Sequence, residues 1–170
     1  YYTYMATMRN CIAACANAKV PILILDRPNP LGGQVLEGPI ATDTESIVSC
    51  TPIPIRHGMT MGELAVWFTR NELKALKPNL AINYLDNWQP RRLFAECSLL
   101  WVAPSPNMPS SETALLYIGT CLLEGTNLNE GRGTDIPFVV MGAPWLDTQR
   151  VLAGIADTDL PGLTLTSTTY

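Results

Sequence analysis

The sequence contains a single histidine, His57, and only 15% of its 170 residues are charged. One imidazole excludes a histidine-rich metal centre within these residues, because such sites need several imidazoles around one ion. There is no run of Lys or Arg, and the formal net charge is -4. Nucleic-acid binding rests on a cationic stripe, so no nucleic-acid partner is expected. Long apolar runs are missing as well: Ile22–Leu25 and residues 114–118 are far short of the roughly 20 residues that span a bilayer. No membrane segment is therefore expected in this piece. The five cysteines (Cys11, Cys15, Cys50, Cys97 and Cys121) are odd in number and form no CxxC pair. That argues against a disulfide framework or a zinc site and predicts free, mostly buried thiols. No secretory signal is visible. With Tyr1 in place of an initiator methionine, the chain reads as an interior piece of a longer protein.

What is present is 47% hydrophobic, enough for one ordinary core. Met5, Met8, Ile12 and Cys15 recur at helical spacing and predict a helix over 1–18. The run Ile22-Leu23-Ile24-Leu25 is apolar on both faces and suits a strand buried within a parallel sheet. A polar loop over 26–33, DRPNPLGG, follows it. Helix, buried strand and a polar loop at the strand's carboxyl end is an α/β pattern, and ligands bind at that end of open sheets.

Further on, Thr51-Pro-Ile-Pro-Ile55 is extended by its prolines, and Arg56-His57-Gly58 turns the chain. Thr60 and Glu63 form a capping box, predicting a helix over 61–76. Residues 79–84 read as a strand. Residues 113–123 read as short helical turns broken at Gly119-Thr120, residues 138–141 and 163–169 as strands, and residues 147–155 as a helix. Gly142-Ala-Pro-Trp145 is a plausible boundary, so 1–143 is read as one domain and 144–170 as the start of a smaller one.

The candidate chemistry lies in the loops. Asp26, Arg27 and Asn29 follow the first strand, where the Asp26 carboxylate can bind ligand hydroxyls, orient Arg27 or cap the loop. Arg56 and His57 form a polar, anion-tolerant corner before a helix amino end. Gly32-Gly33 belongs to neither GxGxxG nor GxxxxGK[ST], which leaves the pair to turn geometry. Ser105, Ser110 and Ser111 lack a GxSxG elbow and suit turns and caps.

Glu124-Gly-Thr-Asn127 and Glu130-Gly-Arg-Gly133 carry the strongest signal. Glu124 follows Cys121-Leu122-Leu123, an apolar neighbourhood that would desolvate its carboxyl, raise its pKa and suit it to general acid–base work. Arg132 between two glycines can take a ligand carboxylate in bidentate fashion. The alternative is a Glu124–Arg132 pair that pins the loop.

Seven segments in order now carry a specific resemblance. They are DRPNPLGG from Asp26, EGP from Glu37, PIRHGMTMGELA from Pro54, PSPNMP from Pro104, GTCLLEGTN from Gly119, EGRGT from Glu130 and GAPW from Gly142. Together they resemble the exo-β-N-acetylmuramidases of the NamZ type along essentially the whole chain. The resemblance implies a bacterial cell-wall glycosidase that releases N-acetylmuramic acid from the non-reducing end of peptidoglycan fragments such as MurNAc-GlcNAc. It implies hydrolysis with no metal and no organic cofactor, and a secreted or periplasmic location. The implied fold is a Rossmann-like domain without a dinucleotide, joined to a smaller C-terminal domain, with the cleft between them.

The lactyl carboxylate of muramic acid needs cations, for which Arg56, His57 and Arg132 are available. Asn107, Asn127 and Glu130 join Asp26, Arg27 and Asn29 as candidate contacts to the sugar. Glu124 is the candidate acid or base. The family's Pro-Glu-His-Gly motif, whose glutamate is the other catalytic candidate, does not occur in these residues, so the 170-residue piece alone is expected to be inactive. Ile118 stands where members commonly have proline, and Cys11, Cys15, Cys50 and Cys97 lie outside the family motifs. The alternative on the same fold is a muropeptide-binding protein without catalysis.

Overall fold

The computed structural model describes residues 2–43, 46–155 and 160–170. Two compact units divide at 102/103, Tyr1–Val102 and Ala103–Tyr170. The Gly142–Trp145 segment thus lies inside the second unit.

The first unit begins with helix α1 (Tyr2–Ala18). Its buried stripe is Met5, Met8 and Ile12, as the spacing predicts. The helix ends in a Schellman motif: Val20 N–H reaches Cys15 O and Lys19 N–H reaches Ala16 O, with Lys19 itself left-handed at φ 57. Pro21 then forbids continuation and releases the chain into strand β1 (Ile22–Leu25). Strand β1 pairs in parallel with β4 (Leu80–Asn83), Ile22 opposite Leu80 through Leu25 opposite Asn83. Parallel neighbours need a crossover, and α2 (Met61–Asn71) supplies it. A short antiparallel pair, β2 (Glu37–Ile40) with β3 (Pro54–Arg56), lies within that connection.

Helices α1 and α2 pack on one face of the β1–β4 pair. Met5, Met8, Ile12, Leu64, Ala65 and Phe68 form the centre of this core, with Ile22, Ile24, Leu80 and Ile82 against it. Strand β1 therefore differs from its expected full burial. Ile22 and Ile24 are covered, whereas Leu23 and Leu25 on the other face are 59% and 65% exposed. The capping box forms as predicted, with Thr60 Oγ1 accepting from Glu63 N–H and Glu63 Oε2 accepting from Thr60 N–H. The helix it starts is shorter than the predicted 61–76. It stops at Asn71, and a 3-10 turn at Lys74–Leu76 takes its place.

In the second unit α3 (Ser111–Thr120) starts on Ser110, whose hydroxyl accepts the Thr113 N–H at 3.1 Å. It passes at Cys121 into a 3-10 turn (Cys121–Gly125), next to the predicted break. Helix α4 (Thr148–Ile155) follows later. The strands predicted over 138–141 and 163–169 do not form. Phe138 sits at φ 63 in a turn closed by Val139 N–H on Ile136 O, a backbone that no ladder accepts. An isolated antiparallel bridge between Asn129 and Gly142 stands there instead. The cysteines are all free as expected, but only Cys50 is buried; Cys11 is exposed and the other three are half-buried.

Candidate functional site

In the first unit the loop after β1 and the turn before α2 come together. Gly33 and Gly58 pass so close that a Cβ on Gly33 would lie 2.7 Å from Gly58 O. Asn29 fastens the two segments: its Nδ2 donates to Met59 O at 3.0 Å, and its Oδ1 accepts the Leu31 N–H at 3.0 Å. Asp26 lies deeper. Its Oδ1 accepts the Gly62 N–H at 2.6 Å and the Arg27 N–H at 2.9 Å, and its Oδ2 accepts the Thr60 hydroxyl at 3.2 Å. The carboxylate therefore sits on the amino end of α2, where unpaired N–H groups and the helix dipole favour negative charge. Both residues are buried, and their polar atoms are spent on the scaffold.

Arg56 donates from Nη1 to Glu37 Oε2 at 2.7 Å and from Nη2 to Leu31 O at 3.2 Å. Its Nε is buried without a hydrogen-bond partner among the described residues. The guanidinium ties β3 to β2 and to the loop after β1. His57 Nδ1 accepts the Met59 N–H at 3.1 Å, which places the ring hydrogen of the neutral form on Nε2. Desolvation by burial pushes the His57 pKa down to about 4. The imidazole is thus neutral near pH 7. It serves there as a polar group of the corner, not as one of the cations expected for a lactyl carboxylate. Arg27 is exposed beside this corner.

In the second unit the loop from Glu124 to Phe138 folds around one guanidinium. Arg132 Nε donates to Glu130 Oε1 at 2.5 Å, and its Nη2 donates to Glu124 Oε1 at 3.1 Å. The Arg132 guanidinium lies 5.1 Å from the centroid of the Phe138 ring, and Tyr117 meets that ring edge-on at 4.8 Å. Burial works to lower the Arg132 pKa, but the hydrogen bond it donates to Glu130 and the charges of both glutamates outweigh it, and the net shift is upward.

The backbone is held just as closely. Phe138 N–H donates to Glu130 O at 2.6 Å, and Asn129 Oδ1 accepts the Gly131 N–H at 2.8 Å. Gly131 has φ 82 and would place a Cβ 2.9 Å from Val140 O, so the loop requires glycine there. Tyr170 donates its hydroxyl to Asn129 O at 3.1 Å.

The two glutamates differ in access. The Glu130 side chain is 10% exposed and that of Glu124 is 35% exposed. The apolar cover expected over Glu124 is not formed, because Leu122 turns outward and is 69% exposed. The alternative pairing of Glu124 with Arg132 is the one observed. Asn107 is half-buried, with its N–H on Ser105 Oγ at 3.3 Å, and Asn127 is exposed.

Sequence reasoning missed the Tyr117–Phe138 platform and Tyr170. Phe138 sits in an apolar run that reads as a strand, and nothing local marks Tyr117 as its companion or Tyr170 as a partner of Asn129. Glu37 could have been found, since the charge of Arg56 needed a partner. Among the described residues no three His, Cys, Asp or Glu side chains group as metal ligands. What the second cluster offers is one solvent-reachable carboxylate whose position is fixed by an arginine and a buried second carboxylate. Such an arrangement can handle a proton or stabilise a cationic centre.

The chain matches two family models, the N-terminal part of the exo-beta-N-acetylmuramidase NamZ over residues 1–112 and its C-terminal part over 115–170. The peptidoglycan beta-N-acetylmuramidase NamZ of Bacillus subtilis (strain 168) is 39% identical, over 100% of this chain and 41% of its own length. Two crystal structures of DUF1343 family proteins from Bacteroides fragilis NCTC 9343 are also similar. One is 30% identical with a TM-score of 0.88, covering 94% of this chain and 42% of its own. The other is 38% identical with a TM-score of 0.75, covering 85% and 40%. The chain spans about two fifths of the length of each of these relatives.

Proposed function

The chain belongs to the NamZ family of exo-β-N-acetylmuramidases, and from that premise we propose that the protein hydrolyses peptidoglycan fragments at their non-reducing end, releasing N-acetylmuramic acid. The observation that carries this is the 39% identity to a peptidoglycan beta-N-acetylmuramidase along the whole chain. The bond cleaved is the β-glycosidic bond from muramic acid C1 to the oxygen of the next sugar. Water supplies the hydroxyl at C1 and a proton goes to the leaving oxygen.

On this proposal Glu124 is the acid or base. It is the more open carboxylate of its cluster, while Glu130 lies buried behind Arg132. Glycosidases of the usual kind work with two carboxyl groups on either side of the scissile bond. The second is assigned to the family's Glu-His-Gly motif, which these 170 residues do not contain.

Arg132 has two tasks. It holds Glu124, and its remaining N–H donors meet the lactyl carboxylate. Arg56 and His57 are proposed as further contacts to the sugar, His57 as a neutral hydrogen-bonding group. With a wall polymer as the proposed substrate, a secreted or periplasmic location is part of the same proposal. Among the described residues no helix is long and apolar enough to cross a membrane.

The test is hydrolysis of a chromogenic N-acetylmuramide by the product of the complete reading frame that encodes this chain. Release of the chromophore from the muramide and not from the matching N-acetylglucosaminide supports the assignment. Equal release from both sinks the muramic-acid specificity, and release from neither leaves the muropeptide-binding alternative.

A further inference from the structure

At the last turn of α2 and just beyond it, Arg70, Lys74 and Lys77 line one shallow cavity of about 480 Å³ together with Thr69 and Pro78. None of these three cationic side chains makes an ion pair or a side-chain hydrogen bond among the described residues, unlike Arg9, Arg56 and Arg132. Glu72, the acid that falls among them in sequence, is taken by Arg9. In a chain of net charge -4 this is a local excess of positive charge. Thr69 adds a buried hydroxyl with no hydrogen-bond partner among the described residues. Such a group is costly until something pairs with it.

Thr69, Arg70 and Pro78 also line an adjoining cavity of about 380 Å³, whose other walls are Val66, Leu80, Ile82 and Tyr84. Tyr84 is 58% exposed. The surface is therefore one trough with a cationic end and an apolar, aromatic end. Cations after a helix complement its dipole, but the dipole gives no reason for an apolar trough running on from them.

We propose that this trough is a second binding site, for an acidic peptide. Its carboxylates pair with Arg70, Lys74 and Lys77, and its aliphatic side chains lie against Leu80, Ile82 and Tyr84. A compact phosphate fits less well. Phosphate sites favour helix amino ends and converging backbone N–H groups, whereas these cations are spread around an opening beyond a helix's carboxyl end. With a peptidoglycan fragment as substrate, the occupant is a stem peptide on a muramic acid other than the one whose free lactyl carboxylate meets Arg132, because a stem peptide is joined through that carboxyl group. That identification rests on the function proposed above; the chemistry of the trough does not.

The probe is a fluorescein-labelled alanyl-γ-glutamyl-diaminopimelate tripeptide, followed by fluorescence anisotropy with the protein from the complete reading frame. Saturable binding is expected, weakened about tenfold or more by the double substitution Lys74→Glu/Lys77→Glu and by added salt. The charge-neutral pair Lys74→Gln/Lys77→Gln should weaken it less, which separates loss of the site from loss of the fold. Affinity unchanged by charge reversal overturns the proposal. So does an unlabelled polyphosphate that displaces the probe more effectively than the unlabelled tripeptide, since the trough would then serve a phosphate polymer.

Hydrolysis of a peptide-free chromogenic muramide is expected to be equal in wild type and the charge-reversed protein. If neither protein hydrolyses it, the proposed activity fails, while the anisotropy comparison still decides the trough.

Discussion

Asp26 Oδ1 accepts the Gly62 N–H at 2.6 Å, joining the end of the first strand to the first turn of the helix that follows. A carboxylate at the carboxyl end of a parallel strand occupies a position at which ligands commonly bind. Here the same atoms cap a helix, and the loop they anchor carries Asn29 and the approach to Arg56 and His57. Asp26 acts on the site through the scaffold.

Replacing Asp26 by Asn removes a charge from the amino end of α2 and one acceptor from a buried network. The loss is expected to be about 1–2 kcal/mol of stability, in line with other helix caps. Urea denaturation reads it directly. An unchanged midpoint together with weakened sugar affinity would instead make Asp26 a ligand contact.

Gly62 tests the same junction from the other side. A Cβ there would lie 2.9 Å from Asp26 Cγ and 3.0 Å from Ile82 Cγ2. Gly62→Ala is therefore expected to cost about 1–3 kcal/mol through overpacking, despite the better helix propensity of alanine. A stabilised Gly62→Ala protein would show that the carboxylate can move aside.

His57 is the only histidine of the 170 residues, so in a protein of that length its imidazole protons can be followed by NMR without assignment of others. The expected midpoint is about 4, well below the ordinary 6.5. The unfolded chain takes up this proton below pH 6.5 and the folded chain only near 4. Stability should therefore fall as pH drops from 6.5 to 4 and be level above that window, by roughly 2–3 kcal/mol in total. A midpoint near 6.5 would show the ring to be solvated and available as a cation.

The legible parts of this molecule were those in which local and global preferences agree. The Thr60–Glu63 box, the helical stripe of Met5, Met8 and Ile12, and the parallel pairing of the Ile22–Leu25 strand follow from spacing and propensity alone. Phe138 fails for a tertiary reason. Its apolar neighbours favour a strand, but its N–H is drawn to Glu130 O and its ring lies against Arg132, which hold a left-handed turn. The site was half legible in the same way. Proximity in sequence pointed to Glu124, Glu130 and Arg132, and they do meet. Which of Asp26, Asn29 and Arg56 hold the fold and which face a ligand depends on partners such as Met59 O and Glu37, far away in the chain.

Arg132→Lys keeps the positive charge opposite Glu130 but loses the forked geometry. In the complete protein it is expected to raise KM for muramides several-fold more than for glucosaminides, because only the former carry a carboxylate for the remaining donors. Steady-state kinetics on the paired chromogenic substrates measures the split. Equal changes would confine Arg132 to holding Glu124.

The most direct measurement is the turnover of MurNAc-GlcNAc by the protein from the complete reading frame, compared between wild type and Glu124→Gln and followed as free N-acetylmuramic acid by liquid chromatography. With Glu124 as acid or base, wild type releases the sugar and the variant loses about 10²–10⁴-fold in kcat, the range of general acid–base roles. No release by wild type, or a loss under about tenfold, would contradict the assignment and leave Glu124 as the outer arm of a loop-pinning ion pair.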